Sequence, residues 1–318
     1  MPTLGVIFPG QGSQAASMGV DAALSCPAAR ECFDRASAVL GYDLLELCAR
    51  GDEDELRDTR VSQPAIFTAN VAIYRSVETL GFAPIVSAGH SFGEYCSLTI
   101  AGALAFDQAL RLVNERGIAM GNAADLAPGG MAAIIGFDQQ QVEEICARAR
   151  ADSGARVDVA NLNAPVQIVV SGDVAGVRAA CDLAKDAGAK RVVMLNVSGA
   201  WHSELMSPAI PQFASHVESA AIAMPSFAVI SNVDVVPYGS VEQIRRCLIA
   251  SLRARVRWHE TAMTLAAMRP DLIVECGATR VLAPMMARLA GVEADRVVHV
   301  ADRTGVSKLA AAAEKIPA

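Results

Sequence analysis

Short apolar runs alternate with helical patterns along the whole chain. The runs at residues 4–8 and 84–87 have the length and composition of buried strands, whereas residues 94–104 and 107–123 show the apolar spacing of helices. Asp107 is placed to cap the second of these helices. A regular alternation of strands and helices predicts an α/β fold with a parallel sheet.

A Pro-Gly-Gly segment at residues 126–130 marks a change in the order of the elements. The patterns after it predict strands at 131–136, 157–160, 167–170 and 191–197, and helices at 139–150 and 173–187. Their β-α-β-β-α-β order is that of a ferredoxin-like unit. Because strand patterns resume at 227–230 and 272–275, we expect residues 127–198 to be inserted into a larger domain formed by 1–126 and 199–318. The junction of two such domains favours a ligand cleft.

Composition and charge narrow the class of protein. Of the 318 residues, 53% are hydrophobic and 19% are charged, which allows a large core and excludes a disordered chain. The net charge of -7 disfavours nucleic acid as a partner, because phosphate binding needs a basic face. Eight single cysteines without a CxxC pair indicate reduced thiols, and neither disulfides nor a metal site is expected.

We expect a cytoplasmic protein that does not bind membranes. The longest uncharged apolar stretches, residues 95–106 and 219–233, are shorter than the roughly 18–20 residues of a spanning helix. The first residues lack the basic region of a signal peptide, and their apolar run ends at Pro9 and Gly10.

The sharpest local motif is Gly89-His90-Ser91-Phe92-Gly93, a G-x-S-x-G between a predicted strand and a predicted helix. Its glycines allow a turn that is too tight for Cβ atoms, and such a turn exposes the Ser91 hydroxyl above the sheet. The following helix directs its N–H groups and positive dipole end to the same place, which suits a developing oxyanion. The motif therefore predicts a nucleophilic serine. The alternative is a tight turn with an incidental serine.

A serine nucleophile needs a base within hydrogen-bond reach. Among the histidines, His202 is the best candidate, because it directly follows the last strand of the predicted insertion, where a hinge loop would face the cleft. The alternative for His202 is a core or surface histidine. His90 lies beside Ser91 at a strand end and should point the other way, which indicates a packing role. His216 lies in a helical pattern and His299 in a strand pattern, and neither position indicates a functional role.

A second glycine-rich turn, Gly10-Gln11-Gly12, follows the first strand. The flanking glycines let the backbone approach a ligand closely, so the Gln11 N–H could be an oxyanion donor. The turn lacks the third glycine and the acidic residue of a dinucleotide-binding fingerprint. An ordinary connection between a strand and a helix is the alternative.

Together these motifs resemble the malonyl-CoA:acyl carrier protein transacylase family, which includes free-standing acyltransferases of polyketide synthases. The resemblance extends over nearly the whole chain. The matching motifs are FPGQGSQ (8–14), SQPAIF (62–67), GHSFGEY (89–95), NERG (114–117), ANLNAP (160–165), SGAWHS (198–203), SNV (231–233) and ECGATRVL (275–282). We therefore expect an α/β-hydrolase-like large domain with a parallel sheet and an inserted small ferredoxin-like domain.

The resemblance implies roles for individual residues. Ser91 matches the acylated serine of the family and His202 its general base. The backbone N–H groups of Gln11 and Phe92 match the oxyanion hole. Arg116 matches the arginine that pairs with the free carboxylate of a malonyl-type acyl group. In this family a backbone carbonyl, and not an aspartate, orients the base.

Three further positions are expected to bind substrate. Asn161 matches a polar residue that lines the site in the small domain. Ser251 stands where the family often has glutamine; the change is tolerated if a backbone carbonyl orients the base, and it slows the reaction if the glutamine side chain does so. Trp201 stands where phenylalanine or a small residue is common, and its bulk should crowd an α-branch, which favours malonyl over methylmalonyl.

The resemblance implies transfer of a malonyl group from malonyl-CoA, through an acyl-serine, to the phosphopantetheine thiol of an acyl carrier protein. No cofactor or metal is needed, and we expect a monomer. One alternative is a polyketide-synthase acyltransferase or an editing hydrolase with another acyl group, although a pocket for neutral chains has no use for Arg116. Another is a non-catalytic carrier-binding subunit, which the intact motifs at Ser91 and His202 disfavour. The sequence leaves open whether the pathway makes fatty acids or polyketides.

An acidic carrier protein needs a local basic patch on an acidic enzyme. Basic residues cluster near Ser251 and at the edge of the predicted insertion. The candidate docking residues are Arg245, Arg246, Arg253, Arg255, Arg257, Lys190 and Arg191. Solvated helix faces are the alternative.

Overall fold

The computed structural model describes residues 2–51, 54–289 and 291–316. The strands are β1 (Thr3–Phe8), β2 (Ala83–Gly89), β3 (Gly129–Ile135), β4 (Val157–Ala164), β5 (Gln167–Asp173), β6 (Arg191–Met194), β7 (Ala228–Ile230), β8 (Leu272–Cys276) and β9 (Val297–Val300). The α-helices are α1 (Val20–Ser25), α2 (Pro27–Leu40), α3 (Leu44–Arg50), α4 (Thr59–Glu78), α5 (Gly93–Ile100), α6 (Phe106–Leu126), α7 (Gln139–Ser153), α8 (Val174–Asp186), α9 (Ile210–Ser219), α10 (Val241–Ala250), α11 (Trp258–Ala267), α12 (Ala283–Met286) and α13 (Arg303–Ala313). Short 3₁₀ helices lie at Glu55–Arg57, Glu204–Ala209 and Ala294–Arg296.

The larger sheet is parallel throughout and has the strand order β7-β2-β1-β8-β9. The central strand β1 is buried along most of its length, which explains its unbroken apolar run. Phe8 pairs with Gly89 where β1 and β2 end. The two glycine-rich turns that follow these strands therefore lie side by side, at the carboxyl edge where parallel sheets bind ligands.

The smaller sheet is antiparallel and has the order β4-β5-β3-β6. With α7 and α8 it reproduces the predicted β-α-β-β-α-β sequence of elements. The expected fold class, a parallel sheet combined with a small antiparallel one, is confirmed. We retain residues 127–198 as the proposed small domain, and 1–126 with 199–318 as the proposed catalytic domain.

Separate hydrophobic clusters support the two sheets. In β1, Val6 and Phe8 belong to one cluster and Ile7 to another, because successive strand side chains point to opposite faces of the sheet. The small sheet has its own core against α7 and α8. The backbone also joins the domains: the Val256 N–H donates to the Ala160 carbonyl over 2.8 Å.

Several predicted boundaries are wrong, and three of them change a local contact or the site. Asp107 does not cap α6, which begins at Phe106; its carboxylate instead accepts a 2.9 Å hydrogen bond from Arg35 Nε. The helix predicted to continue to residue 104 ends at Ile100, just before Gly102 with its φ of 72°. The strand predicted to reach residue 197 ends at Met194, and the following residues instead line the cavity described below.

No helix within the described ranges is long and apolar enough to cross a membrane. All eight cysteines are buried as free thiols. In the same ranges, no cluster of three or more His, Cys, Asp or Glu side chains is arranged to hold a metal ion.

Candidate active site

Ser91 lies in a sharp turn between β2 and α5, with a φ of 54°. A Cβ on Gly89 would lie 1.9 Å from the Gly93 carbonyl carbon, and a Cβ on Gly93 would lie 2.4 Å from the Phe8 oxygen. Both positions therefore require glycine. The turn places Ser91 at the start of α5, as its sequence predicted.

His202 lies against Ser91 although 111 positions separate them in the chain. Its Nε2 is 2.8 Å from Ser91 Oγ, and its Nδ1 is 3.0 Å from the carbonyl oxygen of Ala254. Because a carbonyl can only accept, Nδ1 carries the proton and Nε2 offers its lone pair to the serine hydroxyl. The sequence-based expectation that a backbone carbonyl orients this histidine agrees with the contact to Ala254.

Burial keeps the His202 imidazole neutral. The side chain is buried, and desolvation lowers the pKa of His202 to about 3, with further lowering by the positive charge of Arg116 and by the neighbouring His90. The hydrogen bond to Ala254 opposes the shift. A neutral imidazole facing a hydroxyl can accept its proton.

Arg116 projects from α6 to the same end of the cavity. It is 1% exposed, its Nη1 donates to Gln63 Oε1 over 2.8 Å, and its Nη2 lies 3.4 Å from Ser91 Oγ. Its Nε has no hydrogen-bond partner among the described residues. Desolvation lowers the pKa of Arg116, and no carboxylate of the described chain forms an ion pair with it. The arrangement suits an anionic group on the ligand.

A chain of hydrogen bonds links Arg116 to the turn after β1. Gln63 Nε2 donates to Thr59 Oγ1 over 2.8 Å, and Thr59 Oγ1 donates to Gln11 Oε1 over 3.2 Å. Gln63 and Thr59 had no role in the sequence analysis. Gln63 lies in the SQPAIF motif, so the motif pointed to this position, but only packing of α4 against α6 reveals its partner.

The two expected oxyanion donors flank the nucleophile. A Cβ on Gly10 would lie 2.6 Å from the His90 carbonyl oxygen, which shows how closely the turn carrying Gln11 approaches the turn carrying Ser91. Phe92 caps the N-terminus of α5. Within the described ranges, the N–H groups of Gln11 and Phe92 donate no hydrogen bond to another residue.

A cavity of about 470 Å³ opens above these groups, between the two sheets. Its lining includes Asn161 and Trp201, as expected for substrate-binding residues. Residues from the small domain and from the large domain both contribute: Met131, Asn163, Val169, Leu195, Asn196 and Val197, and Gly10, Gln11, Ser91, Arg116, Met120, His202 and Met285. The cavity therefore lies where the two proposed domains would meet.

Ser251 does not line this cavity. Its hydroxyl donates to the Leu248 carbonyl over 2.7 Å, inside the same helical segment. The backbone of Ser251 lies close to His202, where a hydrogen bond opposes the lowering of the pKa of that histidine. A role of Ser251 in substrate binding stays a prediction.

His90 lines the cavity beside Ser91, so the packing role that the sequence indicated describes only part of its position. Its ring lies 5.8 Å from the Trp258 ring, and its Nε2 donates to Asn163 Oδ1 over 2.9 Å. Burial lowers the pKa of His90. The residue thus connects the large domain to the small one.

Most of the candidate docking arginines are neutralised by neighbours. Four of them form ion pairs, Arg246 with Asp234, Arg253 with Glu204, Arg255 with Glu143 and Arg257 with Glu260. Arg245 instead donates to the carbonyls at the end of α9, at Val217, Glu218 and Ala220. Lys190 and Arg191 are exposed, and neither forms an ion pair within the described part of the chain.

Comparison with known proteins places this geometry among acyltransferases. The family model for the acyl transferase domain matches residues 6–299. The malonyl CoA-acyl carrier protein transacylase of Haemophilus influenzae is 40% identical over 293 residues, which cover 92% of this chain and 93% of that protein. The protein of the same name from Bacillus subtilis is 38% identical and covers 91% of each chain.

Solved structures agree over almost the full length. The malonyl CoA-acyl carrier protein transacylase of Coxiella burnetii has a TM-score of 0.92 at 38% identity, covering 99% of this chain and 98% of the other. A malonyl-transacylase in complex with a type II polyketide-synthase acyl carrier protein has a TM-score of 0.90 at 38% identity, covering 96% and 98%.

Proposed function

This chain belongs to the acyl transferase domain family, and on that basis we propose that it moves a malonyl group from malonyl-CoA to the phosphopantetheine thiol of an acyl carrier protein. The observation that carries the proposal is the buried Arg116 guanidinium 3.4 Å from Ser91 Oγ. A malonyl group bound through its thioester carbon has a free carboxylate within reach of such a cation. An acetyl group has none.

The first half-reaction acylates Ser91. Its Oγ attacks the thioester carbonyl carbon while its proton passes to His202 Nε2, and the N–H groups of Gln11 and Phe92 donate to the oxyanion. The tetrahedral intermediate then breaks its C–S bond. The proton on His202 leaves with the CoA thiolate, which gives free CoA and a malonyl ester on Ser91.

The second half-reaction reverses these steps with a different thiol. His202 takes the proton of the phosphopantetheine thiol, and the sulfur attacks the ester carbonyl carbon. The C–O bond to Ser91 breaks, and Ser91 Oγ recovers the proton from His202. Neither step needs a cofactor or a metal ion, since both thiols are substrates.

The free carboxylate of the malonyl group also makes His202 a stronger base. Arg116 is the largest cause, after burial, that lowers the pKa of His202. A malonyl carboxylate that pairs with Arg116 compensates this positive charge, so the pKa of His202 rises in the complex. A neutral acyl group leaves the base as weak as in the free enzyme. Selectivity is therefore expressed in the chemical step as well as in binding.

Trp201 and Arg116 together favour malonyl among acyl groups. The buried Trp201 lines the cavity, and we expect its bulk to disfavour an α-branch on the acyl group. For an editing hydrolase acting on neutral chains, Arg116 would remain a buried cation without a partner, which is costly.

Lys190 and Arg191 are the docking residues that we retain for the carrier. They lie at the start of β6, and the segment that follows this strand lines the cavity. Buried, free cysteines support a reducing compartment, so we propose that the protein acts in the cytoplasm. We further propose that it acts as a monomer. The net charge of -7 argues against nucleic acid as a partner.

The acyl-enzyme tests the proposal directly. After incubation with malonyl-CoA, intact-mass measurement should show one added malonyl group, and peptide mapping should locate it on the peptide that contains Ser91. Addition of a holo acyl carrier protein should remove the adduct and transfer it to the carrier. Ser91→Ala should form no adduct. An adduct that persists in this variant contradicts the mechanism.

A further inference from the structure

Asn232 bridges the two sides of the nucleophile turn. Its Nδ2 donates to the Gly89 carbonyl over 2.7 Å, and its Oδ1 accepts from the Ser91 N–H over 3.3 Å. Asn232 is 2% exposed and follows β7, the neighbour of β2 in the sheet. One side-chain amide therefore holds the end of β2 and the nucleophile in a single arrangement.

The turn needs such support. Ser91 is a non-glycine residue in the left-handed region, with a φ of 54°. That conformation is unfavourable for a side chain with a Cβ, and it persists only where the surroundings hold it in place. Because Phe92 directly follows Ser91, a small relaxation of this turn would disturb both Ser91 and the expected oxyanion donor.

Glu94 in turn holds Asn232. Its Oε1 accepts a hydrogen bond from the backbone N–H of Asn232 over 3.2 Å and another from the Tyr238 hydroxyl over 2.6 Å. Glu94 lies in the first turn of α5, three residues after Ser91, and is 1% exposed. Its Oε2 has no hydrogen-bond partner among the described residues. Burial of a carboxyl group with one oxygen that accepts no hydrogen bond lowers the free energy of unfolding. We therefore expect Glu94 to have a function that compensates for this loss of stability.

We propose that Glu94 is a positioning residue for the nucleophile, which acts through Asn232 to keep Ser91 Oγ aligned with His202 and with the Phe92 N–H. The inference rests on the proposed function only in taking Ser91 as the nucleophile. Direct charge pairing with Arg116 does not explain Glu94, because no Arg116 nitrogen lies within ion-pair distance of its carboxylate. The two hydrogen bonds to Oε1 do explain it.

The test measures the reactivity of Ser91 independently of malonyl-CoA and of the carrier protein. Phenylmethanesulfonyl fluoride reacts with an aligned serine: Ser91 Oγ bonds to sulfur, fluoride leaves, and the proton passes to His202. The second-order rate of this reaction requires neither malonyl-CoA nor a carrier. It is measured beside kcat and KM for malonyl transfer, with the folded fraction checked by thermal unfolding.

Glu94→Ala and Asn232→Ala should each lower kcat and the sulfonylation rate by about 100-fold, the size of effect expected when a reacting group is displaced by about 1 Å. KM for malonyl-CoA should change little, because neither residue lines the cavity. The double variant should be no slower than either single variant, since both remove the same support.

Two more conservative substitutions of Glu94 test the proposal if the alanine variants fold poorly. Glu94→Gln retains an oxygen for both donors and should recover most of the rate lost in Glu94→Ala. Glu94→Asp retains the charge but withdraws the oxygen from Asn232, and should be slow. Thr99→Val is the control: it removes a buried hydroxyl that donates to the Tyr95 carbonyl in the same helix, and should leave the rate unchanged.

Additive losses in the double variant would overturn the proposal. So would a Glu94→Asp enzyme as reactive as the parent, or a Glu94→Ala enzyme that loses stability but keeps its sulfonylation rate. A parent enzyme that sulfonylates at Ser91 but never transfers malonyl would instead contradict the proposed function and leave the positioning role testable.

Discussion

Arg116 Nη2 lies 3.4 Å from Ser91 Oγ, while Arg116 Nη1 is held by Gln63 at 2.8 Å. The guanidinium is therefore fixed on one side and presented to the nucleophile on the other. In the proposed acyl-enzyme, the acyl group on Ser91 lies beside this cation. The distance between the two residues thus makes the choice of acyl group part of the active-site geometry.

Arg116→Ala should lower kcat/KM for malonyl transfer by at least about 30-fold, because loss of one partner of a buried pair costs about 2–5 kcal/mol. Acetyl transfer should stay level or rise, since acetyl has no carboxylate and the buried cation is gone. Arg116→Lys should restore only part of the malonyl rate, because an ammonium lacks the guanidinium fork. Rates with malonyl-CoA and acetyl-CoA, measured on all three proteins, check this prediction. A parallel fall with both substrates would make Arg116 structural.

The pH profile should reflect the neutral state of His202. Burial and Arg116 lower the pKa of His202 to about 3, so the free enzyme keeps its base unprotonated well below the usual range. With acetyl-CoA, kcat/KM should therefore stay flat between about pH 5 and pH 8, without a fall near 6.5.

In Arg116→Ala the acid limb of this profile should move to higher pH, because loss of the neighbouring positive charge raises the pKa of His202. Acetyl-CoA is the suitable substrate for the comparison, since it does not itself pair with Arg116. An unchanged limb would show that Arg116 does not act on the base.

Glu94 should make stability fall as pH rises. Burial raises the pKa of Glu94 from 4.5 to about 7, so between these values the unfolded chain releases a proton that the folded protein retains. The free energy of unfolding of the parent should therefore decrease over this interval relative to Glu94→Gln, by at most roughly 3 kcal/mol. Denaturant unfolding at several pH values checks the difference, and parallel curves for the two proteins would exclude it.

Neutralising unpaired cations should weaken carrier binding more than neutralising paired ones. Lys190→Gln with Arg191→Gln should raise KM for the carrier protein by at least about threefold, and the KM of this variant should depend less on salt than that of the parent, because rim charges act on association and salt screens them. Arg246→Gln with Arg253→Gln removes the same number of charges from existing ion pairs and is the matched control. Self-acylation by malonyl-CoA should be unchanged in both. Equal carrier KM values would remove Lys190 and Arg191 from the docking surface.

The sequence alone predicted those features of the molecule that depend on residues close together in the chain. The turn at Ser91 was predictable because Gly89 and Gly93 flank it between a strand and a helix, and this motif spans only five positions. The order of strands and helices in the small domain was predictable for the same reason, since each element has its own apolar period. The motifs also indicated the family and thereby the expected roles of Arg116 and His202.

The tertiary structure alone decided which distant groups meet and which charges are free. Arginines near Ser251 look like a basic patch in the sequence, but the fold brings a carboxylate to four of them. Glu94 and Asn232 lie in the GHSFGEY and SNV motifs, but the sequence did not show what they do, because the support they give to Ser91 depends on β7 lying beside β2. Hydrogen bonds between residues more than a hundred positions apart follow from packing, and no local pattern along the chain encodes their partners.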